Sequence, residues 1–209
     1  ETLNMLHFRV ALLVGLVALG YVWKPARLLR LYFVIFAVLT LTDAFFNWVG
    51  TTAEWQAWFS GISTPFSRSM FSSQLLRLGV TLVMIATLWL AYPRWGRFLL
   101  SKGELNATAE PVRWLGMDRP MKWTRFGLIL SVCITLGTLA FLFLAGTTLD
   151  LSQTLPLLPV VIVIAALNAF SEEIAYRASL LVPLHSVFGK TQALLLTAAL
   201  FGLWHYYGV

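Results

Sequence analysis

Charged residues are scarce in this sequence. Only 11% of its 209 residues are Asp, Glu, Lys or Arg, whereas 59% are hydrophobic. A soluble domain carries about a quarter charged residues, because its surface faces water. The mean hydropathy of +0.79 points the same way. These values exclude an ordinary soluble domain and indicate a protein whose main solvent is the lipid bilayer.

Cysteine is almost absent as well. The one cysteine, Cys133, cannot form an internal disulfide, and no CxxC pair or Cys/His cluster with zinc-like spacing occurs. We expect Cys133 to pack among apolar residues. The net charge of +6 does not indicate nucleic acid as a partner, because the basic residues stand in short connections between apolar runs. A disulfide framework and a nucleic-acid-binding protein are therefore not expected.

What the sequence does have is long apolar runs. A helix needs about 20 residues to cross a bilayer, and backbone groups in hydrocarbon must be paired internally, so such runs form helices. Six spans are predicted: Leu6–Trp23, Leu31–Val49, Phe71–Tyr92, Phe126–Ala145, a fifth from Leu155 past Ala169, and a sixth that starts near Thr191 and has not ended at Val209. The expected fold is all-α, a polytopic transmembrane helical bundle that forms a single membrane domain over residues 1–209.

The basic residues are distributed unequally between the two sides of this bundle. Twelve of them fall in the connections after spans one, three and five, whereas Arg9 and Arg68 fall on the other side. By the positive-inside rule the three basic connections are cytoplasmic, and both visible ends lie outside. The segment Glu104–Arg125 mixes tryptophans with basic residues, and we expect it to lie along the cytoplasmic headgroups.

Two ionisable residues lie inside the second and third spans. A charge in a span is costly unless it is paired or hydrated, so each needs a reason. Asp43 and Arg77 both fall in the outer half of the bilayer, and a salt bridge that pairs their helices is one interpretation. Asn47, one turn after Asp43, is expected to join the same network. Neither charge alone predicts chemistry.

A denser polar cluster lies in the fifth span. Glu172 and Glu173 are adjacent, and Arg177 follows four residues after Glu173, which puts these two on one helix face. We expect Glu173 to pair with Arg177, which leaves Glu172 free to act. The sixth span carries His205 between two aromatic residues.

The length of the fifth helix decides whether the two polar groups can meet. At about 1.5 Å per residue, a helix that ended with the acidic cluster would leave Glu172 too near the cytoplasm to reach His205. We therefore expect a long, tilted helix that runs to the residue before Pro183, where proline ends it. A short turn through His185–Lys190 would follow.

These polar motifs resemble those of a known family. Glu172-Glu173-x-x-x-Arg177, followed by Phe201-x-x-x-His205, resembles the first two motifs of the CPBP family. This family comprises the CAAX prenyl proteases and the bacteriocin-processing enzymes. Each motif alone is weak, but together, in consecutive spans and at compatible depth, they are fairly specific.

The resemblance implies a membrane-embedded endopeptidase of the bacterial inner membrane that acts on a peptide or a membrane protein. It implies that Glu172 is the general base that activates water and that His205 helps to position this water. Glu173 and Arg177 would hold the constellation, and Phe201 would pack beside His205. A divalent metal such as zinc is the one cofactor left open, with Glu172 and His205 as candidate ligands. These two residues fall short of the three protein ligands of a catalytic zinc site.

The resemblance covers residues 112–209, beginning with the stretch Val112–Pro120, and residues 1–111 hold spans that are not diagnostic. Family members carry two further spans, eight in all, with another histidine and an asparagine-type residue that complete the site. We therefore expect these 209 residues alone to be inactive. The alternative to a protease is a non-catalytic relative that serves as a scaffold or assembly subunit of a larger membrane complex. A bacteriocin self-immunity role would fall between the protease and the scaffold. A porphyrin-ligating histidine and a transporter with a proton-relay glutamate also stay open.

Overall fold

The computed structural model describes residues 3–62, 65–91, 104, 106–111, 113, 117–146 and 151–206. Helices dominate these ranges, which confirms the all-α fold expected from the composition. The chain forms two compact units, residues 1–100 together with 159–209, and residues 101–158. The division of the chain at residue 112 stays a prediction.

The helices follow one another with few breaks. In chain order they are α1 Leu3–Val22, α2 Arg30–Gly50, α3 Ala53–Trp58, α4 Pro65–Ala91, α5 Trp123–Leu144, α6 Leu151–Thr154, α7 Leu158–Glu172, a π-helix Glu173–Leu181, α8 Val182–Phe188 and α9 Lys190–Tyr206. Short 3₁₀ helices over Lys24–Leu29 and Leu155–Leu157 precede α2 and α7. Pro25 lies in the first turn of the former, where it separates α2 from α1 because it has no N–H to donate.

Four helical stretches are long and apolar enough to cross a membrane. They are Lys24–Gly50, Pro65–Ala91, Trp123–Leu144 and Leu155–Phe188, and a shorter apolar helix covers His7–Val22. The protein is thus an integral membrane protein. The number of spans, expected to be six, stays a prediction.

The core of the first unit lies between α2, α4 and the π-helix. Ile35 on α2, Met84 on α4 and Leu180 on the π-helix are each fully buried, and they belong to one cluster of packed side chains. Because Ile174, Ala178 and Leu180 of the π-helix belong to this cluster, the acidic motif at the beginning of the π-helix is held against α2 and α4. The fold thereby fixes the position of the candidate site.

The fifth predicted span is longer than expected. It continues past Arg177, as the depth argument required, but the expectation that Pro183 ends it is wrong. The helix runs on to Phe188, and Pro183 lies in the first turn of α8, where proline is tolerated. The predicted turn through His185–Lys190 is correspondingly reduced to Gly189, whose φ of 78° suits a residue without a Cβ.

The second unit contains α5 and a small strand pair. β1 (Thr108–Ala109) and β2 (Met121–Lys122) are antiparallel, with Thr108 opposite Lys122, and α5 begins directly after β2. The all-α expectation did not include this pair. Part of the predicted headgroup segment, including Trp114, lies outside the described residues.

Candidate active site

The acidic motif lies where the helix changes its hydrogen-bonding register. Glu172 is the last residue of α7, and Glu173 begins the π-helix. The wider register is visible at Val182, whose N–H donates to the carbonyl oxygen of Arg177, five residues earlier. π-helical turns are rare and are frequently found at functional sites.

A buried serine supports this register. The Ser179 hydroxyl donates to the carbonyl oxygen of Ile174 at 2.7 Å, and Ser179 is fully buried. A polar group that is buried without a partner costs free energy, so this contact satisfies the hydroxyl and adds a donor to the carbonyl. The π-helix is therefore stabilised by a side chain of its own sequence.

Glu172 and His205 are brought together by a helical hairpin. Glu172 precedes Gly189 by 17 residues and His205 follows it by 16, which is about 26 Å and 24 Å along the two arms at 1.5 Å per residue. The two side chains accordingly lie at one level, and Nε2 of His205 is 3.7 Å from Oε1 of Glu172. The side chain of Glu172 is 29% exposed and that of His205 is 44% exposed.

The tautomer of His205 follows from its other contact. Nδ1 lies 2.8 Å from the carbonyl oxygen of Phe201, which can only accept a hydrogen bond. Nδ1 therefore carries a proton, and Nε2 faces Glu172. A separation of 3.7 Å is too long for a direct hydrogen bond, but a water molecule at about 2.8 Å from both atoms bridges such a gap.

Aromatic rings surround this histidine. The ring centroids of Phe201 and His205 are 4.1 Å apart, as expected for packing one helical turn apart. Tyr176 on the π-helix meets Phe201 edge to face at 4.8 Å, and it also contacts Trp204. These contacts fix α9 against the π-helix and so fix the distance between the two polar groups.

Glu173 and Arg177 form the ion pair expected from their spacing. Arg177 Nη1 lies 2.8 Å from Glu173 Oε1, and the two side chains are 67% and 46% exposed respectively. Neither is among the described residues that line the pocket beside Glu172. The structure thus brings Glu172 and His205 together and places Glu173 and Arg177 apart from them.

A small pocket opens beside Glu172 and His205. Its volume is about 70 Å³, which is room for a few water molecules. Its lining comes from α2, α4, the acidic motif and α9, and includes Leu39, Asp43, Arg77, Ser171, Glu172, Tyr176, Trp204 and His205. The buried hydroxyl of Ser171 has no hydrogen-bond partner among the residues that the structure describes. The two charges expected to pair within the membrane, Asp43 and Arg77, thus both border the pocket.

Asn168 is the site residue that the sequence did not reveal. Its Nδ2 donates to Glu172 Oε1 at 2.8 Å, and its Oδ1 accepts from Arg77 Nη1 at 2.5 Å and from Gln74 Nε2 at 3.4 Å. The available signal was an asparagine in an otherwise apolar run, one helical turn before Glu172. Asn47, by contrast, donates to Asp43 at 3.1 Å, as the spacing predicted.

The described residues do not supply the donor set of a catalytic zinc site. No group of three or more His, Cys, Asp or Glu side chains within the described ranges could hold a metal ion. Glu172 and His205 offer two ligands, whereas catalytic zinc uses three from the protein.

The fold and the site together define a helical membrane protein with a carboxylate and an imidazole that face each other in a small pocket. Residues 154–209 match the family model of the Rce1-like proteins, described as type II CAAX prenyl endopeptidase Rce1-like. Neither a curated protein nor a solved structure matches the chain. The match confirms the resemblance seen in the motifs, and it supports a protease-type function in general. It includes Asn168, Glu172 and His205, whereas Asp43 and Arg77 lie outside it.

Proposed function

We propose that the protein is a membrane-embedded endopeptidase of the CAAX type that hydrolyses a peptide bond with water activated by Glu172. The observation that carries the proposal is the approach of Glu172 Oε1 and His205 Nε2 to 3.7 Å beside a pocket with room for water. Two motifs that are 33 residues apart in the sequence contribute one side chain each. A packing role alone does not require a carboxylate and an imidazole at the same depth in a membrane.

The roles of the two side chains follow from their atoms. Glu172 accepts a proton from the water, and the hydroxide formed attacks the carbonyl carbon of the scissile bond. His205 is held by its Nδ1–H to the carbonyl oxygen of Phe201, so its Nε2 lone pair accepts a hydrogen bond from the second O–H of the same water and orients it. The proton on Glu172 then passes to the amine nitrogen as the carbon–nitrogen bond breaks, which restores the carboxylate.

The substrate is proposed to be a peptide or a membrane protein that reaches the pocket from the cytoplasmic side of a bacterial inner membrane. This placement rests on the basic connections, which the positive-inside rule assigns to the cytoplasm. The matched family is described as a prenyl endopeptidase, so a farnesylated CAAX peptide is the first substrate to test. In such a peptide the modified cysteine is fourth from the C-terminus.

The test compares wild type with Glu172→Gln and His205→Ala, each expressed in membranes from the complete reading frame. The assay follows a quenched-fluorescence farnesylated CAAX peptide, and a proteomic comparison records which precursors accumulate. We expect cleavage by wild type and loss of about 100-fold or more in both variants, because general acid–base catalysis contributes about 10² to 10⁴ in rate. Equal peptide cleavage and equal precursor levels in all three membranes would overturn the proposal. Altered co-purification with other membrane proteins would then favour the scaffold role.

A further inference from the structure

The asparagine one turn before the acidic motif links two distant parts of the first unit. Asn168 lies on α7, and its partners Arg77 and Gln74 lie on α4, 91 and 94 residues away in sequence. On its other side Asn168 contacts Glu172. We propose that Asn168 is a positioning residue that holds the Glu172 carboxylate at its working distance from His205, with Arg77 setting the orientation of the amide. This inference rests on the function proposed above.

The orientation of the amide is dictated by its neighbours. Arg77 Nη1 and Gln74 Nε2 can only donate hydrogen bonds, so the atom of Asn168 that faces them must be the acceptor, Oδ1. The amide nitrogen then has to face Glu172, whose carboxylate can only accept. The two ends of the side chain are thus assigned by chemistry, and a flipped amide would leave donors facing donors and oxygens facing oxygens.

Asn168 contacts the same carboxylate oxygen of Glu172 that faces His205. Asn168 Nδ2 binds Oε1 of Glu172 at 2.8 Å, and the same Oε1 is 3.7 Å from His205 Nε2. A glutamate side chain has three rotatable bonds, and an unanchored carboxylate would move away from His205. Asn168 stands on the regular α-helical part of the span, one turn before the register changes, so it is a fixed point from which to hold Glu172.

A neutral amide serves this purpose better than a direct ion pair. In the part of the chain that the structure describes, Arg77 is hydrogen-bonded to Asn168 and Asn168 to Glu172, whereas the neighbouring Glu173 is paired with Arg177 directly at 2.8 Å. A guanidinium bound directly to a carboxylate stabilises its charged form and makes it a poorer proton acceptor. The Asn168 amide therefore holds the Glu172 carboxylate in position relative to α4, and it stands between this carboxylate and the Arg77 guanidinium.

Two substitutions separate positioning from packing. Asn168→Asp has almost the same shape and keeps an acceptor for Arg77, but it replaces the donor to Glu172 with an oxygen. Asn168→Ala removes both contacts. Asn47→Ala is the matched control, because Asn47 also donates to a carboxylate four residues away, at 3.1 Å to Asp43. Glu172→Gln lacks the proposed general base, so its cleavage rate is the background rate of the assay.

We expect both Asn168 variants to lower kcat for the farnesylated peptide by about 10- to 100-fold, since small displacements of a catalytic group cost up to about 100-fold. KM should stay within about twofold. The thermal midpoint of Asn168→Asp in detergent should fall, because a second carboxylate then faces Glu172, so each kcat is measured below the midpoint and per folded enzyme. The Asn47→Ala control should keep its kcat. A merely structural role would instead lower the thermal midpoint of Asn168→Ala and leave its kcat per folded enzyme unchanged.

The outcomes distinguish this inference from the function on which it rests. If Glu172→Gln is inactive while Asn168→Asp keeps the kcat of wild type, the positioning role is wrong and the endopeptidase proposal stands. If Glu172→Gln cleaves as well as wild type, the endopeptidase proposal fails and the positioning role fails with it. A rise in KM without a fall in kcat would also contradict positioning.

Discussion

The ring of Phe46 on α2 lies directly over Gly79 on α4. A Cβ built on Gly79 would overlap this ring, so only glycine allows the two helices to approach as closely as they do. Small residues at helix contacts play this part widely in membrane proteins, where close van der Waals packing replaces the hydrophobic effect as the force between helices. Arg77, which lines the pocket of the candidate site, stands two residues before Gly79. The close contact of α2 and α4 at Gly79 therefore also affects where Arg77 lies.

Gly79→Ala should destabilise the protein by about 1–3 kcal/mol, because the added methyl group forces the Phe46 ring or the helices apart. The measurement is thermal unfolding of the purified protein in detergent. Gly15→Ala is the control, since its Cβ would meet nothing within 4 Å, and a gain in helix propensity should make it neutral or slightly stabilising. Combining Gly79→Ala with Phe46→Leu should recover part of the loss. A fully additive double variant would show that the two residues do not press on each other.

Ser179→Ala should cost about 0.5–1.5 kcal/mol, because it removes the buried hydroxyl that donates to the Ile174 carbonyl oxygen. The same unfolding measurement checks it. Ser186→Ala is a suitable comparison, since the Ser186 hydroxyl also donates to a backbone carbonyl at 2.7 Å but is only partly buried. Its cost should be clearly smaller. Equal costs for the two serines would argue against a special role of Ser179 in the π-helix.

Reversing the charge of Glu173 or Arg177 alone should lower stability, because two like charges would then face each other within the membrane-spanning helix. The double variant Glu173→Arg/Arg177→Glu should recover most of that loss, as expected for a pair that acts by mutual attraction. Levels of folded protein in membranes and the thermal midpoint provide the readout. Single reversals that behave like wild type would show that the pair contributes nothing measurable.

The orientation predicted from the basic connections can be tested by cysteine labelling. Cys133 is the one native cysteine, so Cys133→Ser gives a cysteine-free background. Leu28→Cys lies at an exposed position in the connection before α2, and Ala57→Cys lies at an exposed position in α3. A membrane-impermeant maleimide should label Ala57→Cys in intact cells and should label Leu28→Cys only after permeabilisation. The opposite pattern would contradict cytoplasmic basic connections.

Much of the fold was predictable because the bilayer imposes simple rules. Long apolar runs predict helices, and a spacing of four predicts that Glu173 meets Arg177. The family resemblance implies that Phe201 packs beside His205. These relationships are local, and they depend on one helix at a time.

The features that the sequence did not reveal depend on contacts between helices. Asn168 is hydrogen-bonded to Arg77 on α4, and the residues next to Asn168 in the sequence do not indicate a partner 91 residues away. Ile174 and Leu180 of the π-helix pack in one cluster with residues of α2 and α4, and these contacts join segments that are far apart in sequence. The Pro183 position is different, because proline breaks the interior of a regular α-helix but is tolerated in the first turn of one, and the sequence did not indicate that a new α-helix begins at Val182.

The exposure of the Glu173–Arg177 pair indicates what surrounds this side of the helix in the membrane. The two side chains stand near the middle of the apolar stretch Leu155–Phe188, yet they are 46% and 67% open. Placing such a pair against acyl chains would cost several kcal/mol, even with the charges matched. That side of the helix therefore does not face lipid tails. We expect it to border a hydrated space or another protein surface instead.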